Sequence, residues 1–477
     1  MTLNKEAFRF LRYLSFKMYC LQLQEANPLT LDVEKAQGHY DELMAVIDEK
    51  SLALSKVMPK VVSKYKNKPK VMHKKDGTYS VAGKDWCDAL KLLKLPDTTE
   101  GTIPVEWKEG NPGSTPQVKE WLESLGWVPC TFKYQRNKIT GEEKKIPQVR
   151  YNSPSDPRKG ELTDSVLRLK SREPAIEVLE GLTVAKHRSG VFEGYLKAHK
   201  DGRMVASAGG LTNTLRLKHR APIVNLPGVD AVWGKEIRGC IVAPEGEILV
   251  GSDVSSLESS TKRHYMFPHD PDYVNEMSQP GFDEHINLAK FAGAISQEDE
   301  DRYRLGNGAD LKPIRNTFKP ANYAGIYGVR EKTLSRQTGM SVKQCADLLD
   351  AYWKRNWAVK KIASEQYIKT LPDGSMWLKN PVSGFYYSLR NEKDIFSTLN
   401  QGTGVFVFDS WVMRMLRKGV VPNLQYHDEV LVSVPKGTEQ EVERKLKEAM
   451  QEVNESLKLN VSIEVDVQFG NSYAGVH

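Results

Sequence analysis

Four side chains in the segment RNTFKPANYAGIYG, residues 315 to 328, are spaced for work on a nucleotide: Arg315, Lys319, Tyr323 and Tyr327 fall four apart. On a helix each step of four rotates a side chain by only about 40°, so all four share one broad face. Two cations followed by two aromatics suit a triphosphate followed by a base. Standing by itself, the segment reads as an amphipathic helix with solvated cations and buried tyrosines. Two acidic segments accompany it. Asp253 ends the apolar run EILVGSD and opens DVSSLE, where alone it reads first as a helix N-cap. Asp428 and Glu429 sit in YHDEV, in the turn of an apolar hairpin, where acids are commonly structural.

The elements that must position these residues follow from periodicity. EILVGSD (247 to 253) reads as a buried strand ending at a site, and NLQYHDEVLVSV (423 to 434) as a hairpin-like strand pair. A charged helix from Thr438 to about Leu457 and a last strand, SIEVDVQF (462 to 469), close the chain. Between the first strand and the hairpin, residues 283 to 370 are helical in pattern. Towards the amino terminus, helical spacing runs from Asp32 to about Val61, over PQVKEWLESLGW (116 to 127), and from Asp164 through Leu182 to Leu196. Residues 67 to 114 read as loop with short elements. Helices, strands, helices, strands in that order predict a discontinuous α+β domain interrupted by a helical insertion.

Composition narrows the class of partner. At 477 residues the chain is long enough for two to four subdomains, and 40% hydrophobic with 27% charged residues excludes wholesale disorder. The net charge of +7 favours a polyanionic partner. Eight lysines and no acid lie between Lys56 and Lys75, which reads either as a solvated loop or as a phosphate-contacting segment. The five cysteines form no CxxC and no metal cluster, so free thiols and a cytoplasmic protein are expected. The sequence has no signal-like h-region and no apolar stretch of membrane-spanning length, so no membrane partner is expected.

Strand acid, Arg/Lys/Tyr helix and His-Asp-Glu hairpin, in that order, resemble the three polymerase motifs of the family A DNA polymerases. Asp253, Ser255 and Glu258 match the first motif; Arg315, Lys319, Tyr323 and Tyr327-Gly328 the second; His427-Asp428-Glu429 the third. NPGSTPQVKEWLESLGWVP (111 to 129), NLPGVDAVWGKEIRGCIVAPEG (225 to 246), DEH (283 to 285), LNQGTG (399 to 404) and the ending DVQFGNSYAGVH extend the resemblance to the branch from short-tailed bacteriophages, over roughly residue 20 to the end.

The resemblance implies a right-hand fold: an N-terminal helical segment (1 to 28), a thumb (29 to 196) with a Lys-rich insertion at about 56 to 110, a palm (197 to 281 and 398 to 477) with an antiparallel sheet, and fingers (282 to 397). It implies primer extension with deoxynucleoside triphosphates on primer-template DNA. Two Mg2+ ions, replaceable by Mn2+, would be held by Asp253, Asp428 and the Val254 backbone carbonyl, with Glu429 nearby. Arg315, Lys319 and His285 would bind the triphosphate, Tyr323 would stack on the incoming base, and Tyr327 and Gly328 would guard the template. Glu258 looks like the gate against a ribose 2′-OH. Arg216 and Gln401 resemble minor-groove readers, His427 lies beside the primer-template, and Lys64, Lys66, Lys68 and Lys70 would track duplex phosphates.

Three departures from the family pattern carry expectations. Pro320 should shorten or bend the second-motif helix; Ser-Ser-Thr-Lys-Arg after Glu258 should alter the next helix; Ser397 stands where the family commonly has Asn, which puts a DNA contact there in doubt. A single-subunit RNA polymerase and a non-catalytic DNA-binding subunit are the alternatives. Only about 28 residues precede the thumb-like helix, so no intrinsic proofreading is expected, and a separate exonuclease or processivity factor would be a partner.

Overall fold

The computed structural model describes residues 5 to 137, 140 to 152 and 160 to 476. Parts of the amino-terminal and thumb expectations, and the final histidine of the closing motif, lie outside those residues. Contacts divide the described chain into two units, one of residues 5 to 41 and 188 to 476, the other of 42 to 152 and 160 to 187.

The first unit is built on a four-stranded antiparallel sheet of β1 (Glu247–Val254), β2 (Leu424–Tyr426), β3 (Glu429–Pro435) and β4 (Val465–Gly470), in the spatial order β2-β3-β1-β4. The apolar run of β1 makes it an inner strand, since both its faces are covered. Val250 and Val254 face a core with Val407, Trp411 and Leu446. Over the other face runs the end of the chain: a Cβ at Gly251 would meet the Val476 carbonyl at 2.3 Å, so only glycine lets the two backbones approach. Asp253 alternates with Val254 and shares the Gly251 face.

The helices of this unit that bear on the site are α1 (Lys5–Ala26), α2 (Leu257–Met266), α3 (Glu284–Phe291), α4 (Lys312–Ile326), α5 (Val342–Arg355), α6 (Ile395–Arg417) and α7 (Glu439–Leu457). The α6 and α7 helices cover the Val250 face, tied by Trp411 Nε1 donating to the Leu446 carbonyl at 3.0 Å. Between β1 and the β2–β3 hairpin the chain leaves the sheet for α2 to α5 and returns, so the expected α+β domain with a helical insertion is present. The insertion is not helical throughout: Ile368–Thr370, at the end of the stretch expected to be helical, pairs with Met376–Lys379, which pairs with Tyr386–Leu389, in a three-stranded meander.

In the second unit the stretch from 67 to 114, expected as loop with short elements, contains one helix of 12 residues and one strand of 7. The lysine tract enters a strand, Val61–Asn67, paired antiparallel with Thr102–Lys108, and a helix spans Val81–Leu92. Trp86, Leu90 and Ile103 form a small core beneath them. Alternation in VVSKYKN is hard to see because the register shifts between Val62 and Tyr65, which leaves Tyr65 exposed and Lys66 half-buried. The long helix expected from Asp164 is broken into Asp164–Leu167, a 3-10 turn and Ile176–Leu179 before Leu182–Ala198. Among the described residues no helix is long and apolar enough to cross a membrane.

Candidate active site

Sheet register gathers the acids. Asp253, the exposed residue near the end of β1, pairs directly with Glu429 on β3 and with Asp466 on β4, and direct cross-strand partners share a face. The Val254 N–H donates to the Asp428 carbonyl at 3.0 Å, which locks the first-motif backbone to the hairpin turn. His427 holds φ 61° in that two-residue turn, a strained position for a residue with a Cβ. Ser256 is also left-handed, φ 47°, at the entry to α2, and Ser255 Oγ donates to Asp466 Oδ2 at 2.7 Å. Asp466 is absent from the sequence-based site; its only trace in the sequence is the alternation V-D-V in the last strand. Glu429 is buried and accepts from the Tyr473 hydroxyl at 3.1 Å.

Above this turn Arg216 spans two of the expected residues, 3.8 Å from Asp428 Oδ1 and 3.9 Å from Glu258 Oε1. Burial raises the Glu258 carboxyl pKa; Arg216 opposes the rise and Asp428 adds to it. His219, which no motif singles out, accepts from the His427 N–H through Nε2 at 3.3 Å. Burial, with His427 and Arg216 nearby, pushes its pKa down to about 4. It is therefore a neutral acceptor at neutral pH.

The α4 helix carries Arg315, Lys319 and Tyr323 and runs 15 residues without interruption, so Pro320 does not shorten it. Tyr327 lies one residue past the last turn. Gly328, φ +63°, closes the helix, with the Gly328 N–H donating to the Gly325 carbonyl and the Val329 N–H to the Ala324 carbonyl. Tyr323 is half exposed, and Lys319 Nζ stands 5.8 Å from its ring centre.

Facing α4 is the start of α3. Asp283 caps that helix, accepting from the His285 and Ile286 N–H groups at 2.9 and 3.1 Å. His285 is buried, and burial lowers its pKa, with Arg315 and Lys319 lowering it and Glu284 and Asp283 opposing. The altered helix after Glu258 has a counterpart here: Lys262, buried on α2, lies 3.7 Å from Glu284. Burial lowers the Lys262 pKa and Glu284 offsets part of that.

The α6 helix closes the site. Gln401 Nε2 donates to the Tyr327 hydroxyl at 3.3 Å, and Asn400 Nδ2 to the Glu258 carbonyl at 2.9 Å. Ser397 is buried and donates to the Asp394 carbonyl, so its hydroxyl is spent inside the protein. A crevice joins Arg216, Gln401, His427 and Asp428 to a buried ion pair of Lys17 on α1 with Asp409 on α6, at 2.6 Å. Tyr13 also donates to Asp409. Lys64, Lys66, Lys68 and Lys70 are in the second unit, where Lys68 pairs with Glu100 and Lys66 donates to the Asp85 carbonyl.

An acid-ended inner strand, an acid-bearing hairpin beside it and a cationic, aromatic helix facing them define a polymerase-type domain. The fold matches a solved structure described as the POL domain of Pol1 from M. smegmatis in complex with DNA primer-template and dNTP, with TM-score 0.66 and 18% identity over 97% of this chain and 70% of that one. Residues 137–475 match the family model for DNA polymerase family A, and the chain belongs to that family. It is 25% identical over 277 residues to the thermostable DNA polymerase I of Thermus aquaticus, covering 55% of this chain and 31% of that protein. Against the DNA polymerase I of Bacillus caldotenax it is 24% identical over 332 residues, covering 64% and 36%. The chain thus spans about a third of the length of these curated relatives.

Proposed function

We propose that this chain adds deoxynucleotides to a primer 3′ end under the direction of a template. The observation that carries the reading is the convergence of Asp253, Asp428, Arg216 and Glu258 at one end of the sheet, with Tyr323 and Tyr327 of the α4 segment within electrostatic reach of Glu258. The donor set suits Mg2+, with Mn2+ as a substitute: Asp253 and Asp428 are hard oxygen donors on adjoining backbone segments, and the Val254 carbonyl, phosphates and water complete such a shell. Bound ions would neutralise the reacting phosphate and activate the primer hydroxyl.

The protein's own groups do the rest. Arg315 grips phosphate through its fork, Lys319 meets the departing pyrophosphate, and His285 assists. Tyr323 stacks on the incoming base, Tyr327 and Gly328 border the template, and Glu258 fills the space of a 2′-OH. Arg216, Gln401 and His427 face the primer-template, and the lysine ribbon follows duplex phosphate. The motif order supports a thumb at 29 to 196, a palm at 197 to 281 and 398 to 477 and fingers at 282 to 397, and the extra motifs support a place in the phage branch of the family.

Primer extension tests the reading. Incorporation of deoxynucleotides and rejection of ribonucleotides is the expected result. Preferential ribonucleotide use would mark an RNA polymerase, and duplex binding with no addition would mark a non-catalytic subunit. A mismatched 3′ end in the same assay reads whether these 477 residues remove it.

A further inference from the structure

Asn322 lies on α4 between the expected phosphate and base contacts, yet it points away from them and is buried. Its Nδ2 donates to the Glu284 carbonyl at 3.1 Å and lies 3.0 Å from His285 Nδ1. A backbone carbonyl can only accept, so the group facing Glu284 must be the amide NH2. The second hydrogen of that NH2 is directed at His285 Nδ1, which must then be the acceptor. A neutral imidazole that accepts at Nδ1 carries its proton on Nε2.

We propose that Asn322 is a positioning residue that fixes His285 as the Nε2–H tautomer, so that the ring presents a hydrogen-bond donor to the triphosphate of the incoming nucleotide. The opposite tautomer would turn a lone pair towards phosphate oxygens and repel them. The proposal rests on the reading of His285 as a phosphate contact. The charged and titratable groups around the ring are Asp283 and Glu284 on its own element and Arg315, Lys319 and Tyr323 from α4. Burial keeps the imidazole neutral among them, so the hydrogen-bond partner at Nδ1, and not a charge, decides what Nε2 offers.

Long-range 1H–15N correlation spectra of the full chain labelled at histidine read the tautomer directly, with His285 assigned by the signals that disappear in His285→Ala. The Nε2–H pattern is expected, and an Nδ1–H pattern overturns the proposal. Kinetics of single-nucleotide addition give the second test. In Asn322→Asp a carboxylate accepts from Nδ1–H, which raises the His285 pKa and favours a bare Nε2 once the ring is neutral. The apparent KM for deoxynucleotide should then be about tenfold above wild type at mildly alkaline pH. It should recover as the pH falls and the imidazolium restores the Nε2–H donor, while the wild-type profile stays flat. The same displacement at every pH would reduce Asn322 to a packing residue and overturn the proposal. In a His285→Ala background the second substitution should add nothing. If His285→Ala alone leaves KM unchanged, the phosphate-contact reading fails and the role proposed for Asn322 with it, even where the spectra return the Nε2–H form.

Discussion

Asp283 holds Arg315 at 2.6 Å through Oδ2 while its Oδ1 caps the helix that begins at Glu284. One carboxylate thus sets both Arg315, the arginine proposed to bind the triphosphate, and the first turn that carries His285. Asp283→Ala should cost about 1 kcal/mol of stability through removal of the cap and also raise the KM for deoxynucleotide. Asp283→Asn keeps the capping oxygen but not the charge, so it should recover most of the stability and little of the KM. Urea unfolding and steady-state kinetics on both variants check this; identical behaviour of the two variants would refute the division of labour between the two oxygens.

Asp253→Ala and Asp428→Ala should each reduce nucleotide addition by more than about a thousandfold and leave duplex affinity nearly intact, because phosphate contacts supply most of that affinity. Fluorescence anisotropy beside single-turnover extension measures both. Full extension by either variant removes the metal assignment.

If Glu258 is the sugar gate, Glu258→Ala should admit ribonucleotides at some loss of rate; its carboxylate lies 3.9 Å from Arg216 and its backbone carbonyl accepts from Asn400. Unchanged sugar discrimination would place the gate elsewhere. The Tyr323 hydroxyl can stand in for a missing 3′-OH, so dideoxynucleotides should be accepted and Tyr323→Phe should restore discrimination against them.

His219 has an ordinary pKa of 6.5 and a folded value of about 4, so protonation is disfavoured in the folded state. Its contribution to stability is therefore fully present above 6.5 and is lost as the pH falls from there towards 4. His219→Gln keeps an acceptor for the His427 N–H and does not titrate. Its unfolding midpoint should fall less than wild type over that range; parallel curves would contradict the neutral-acceptor role.

Replacing Lys64, Lys66 and Lys70 together should shorten extension products and flatten the dependence of DNA binding on salt, by up to about one unit of log-log slope for each phosphate no longer neutralised. Lys68→Ala should matter less, because Glu100 already neutralises it. Identical slopes at all salt concentrations would return the ribbon to a solvated face.

What is legible in the sequence is local. The apolar run of β1, the hairpin around His427 and Asp428, and the charged α7 helix all announce themselves by periodicity, and they bring the principal acids to one end of one sheet. What stays hidden depends on partners far apart in the chain. Asp466 becomes a neighbour of Asp253 only through β-register, and Asn322 acquires meaning only when Glu284 and His285 are set against α4. The lysine tract misleads for a related reason: a run without acids looks unpaired, but the partner strand brings acids to it, and Lys60 meets Glu109 at 2.9 Å.

The Lys17–Asp409 pair sets an order for events at the ribosome. Each group is buried to within a few per cent, at 3% and 4% exposure, and neither can enter the interior without the other except at a cost of several kcal/mol. The α1 helix is synthesised well before α6, so its counter-charge appears only when the α6 helix has been made. Until then the face of α1 that carries Tyr13, Lys17, Cys20 and Gln24 stays open to solvent while the intervening residues are translated. The same wait applies to β1, whose two flanking strands are translated later still. The unit that holds the candidate site therefore completes its sheet and helix contacts late in synthesis, and chaperone occupancy on nascent chains should concentrate on lengths short of that point.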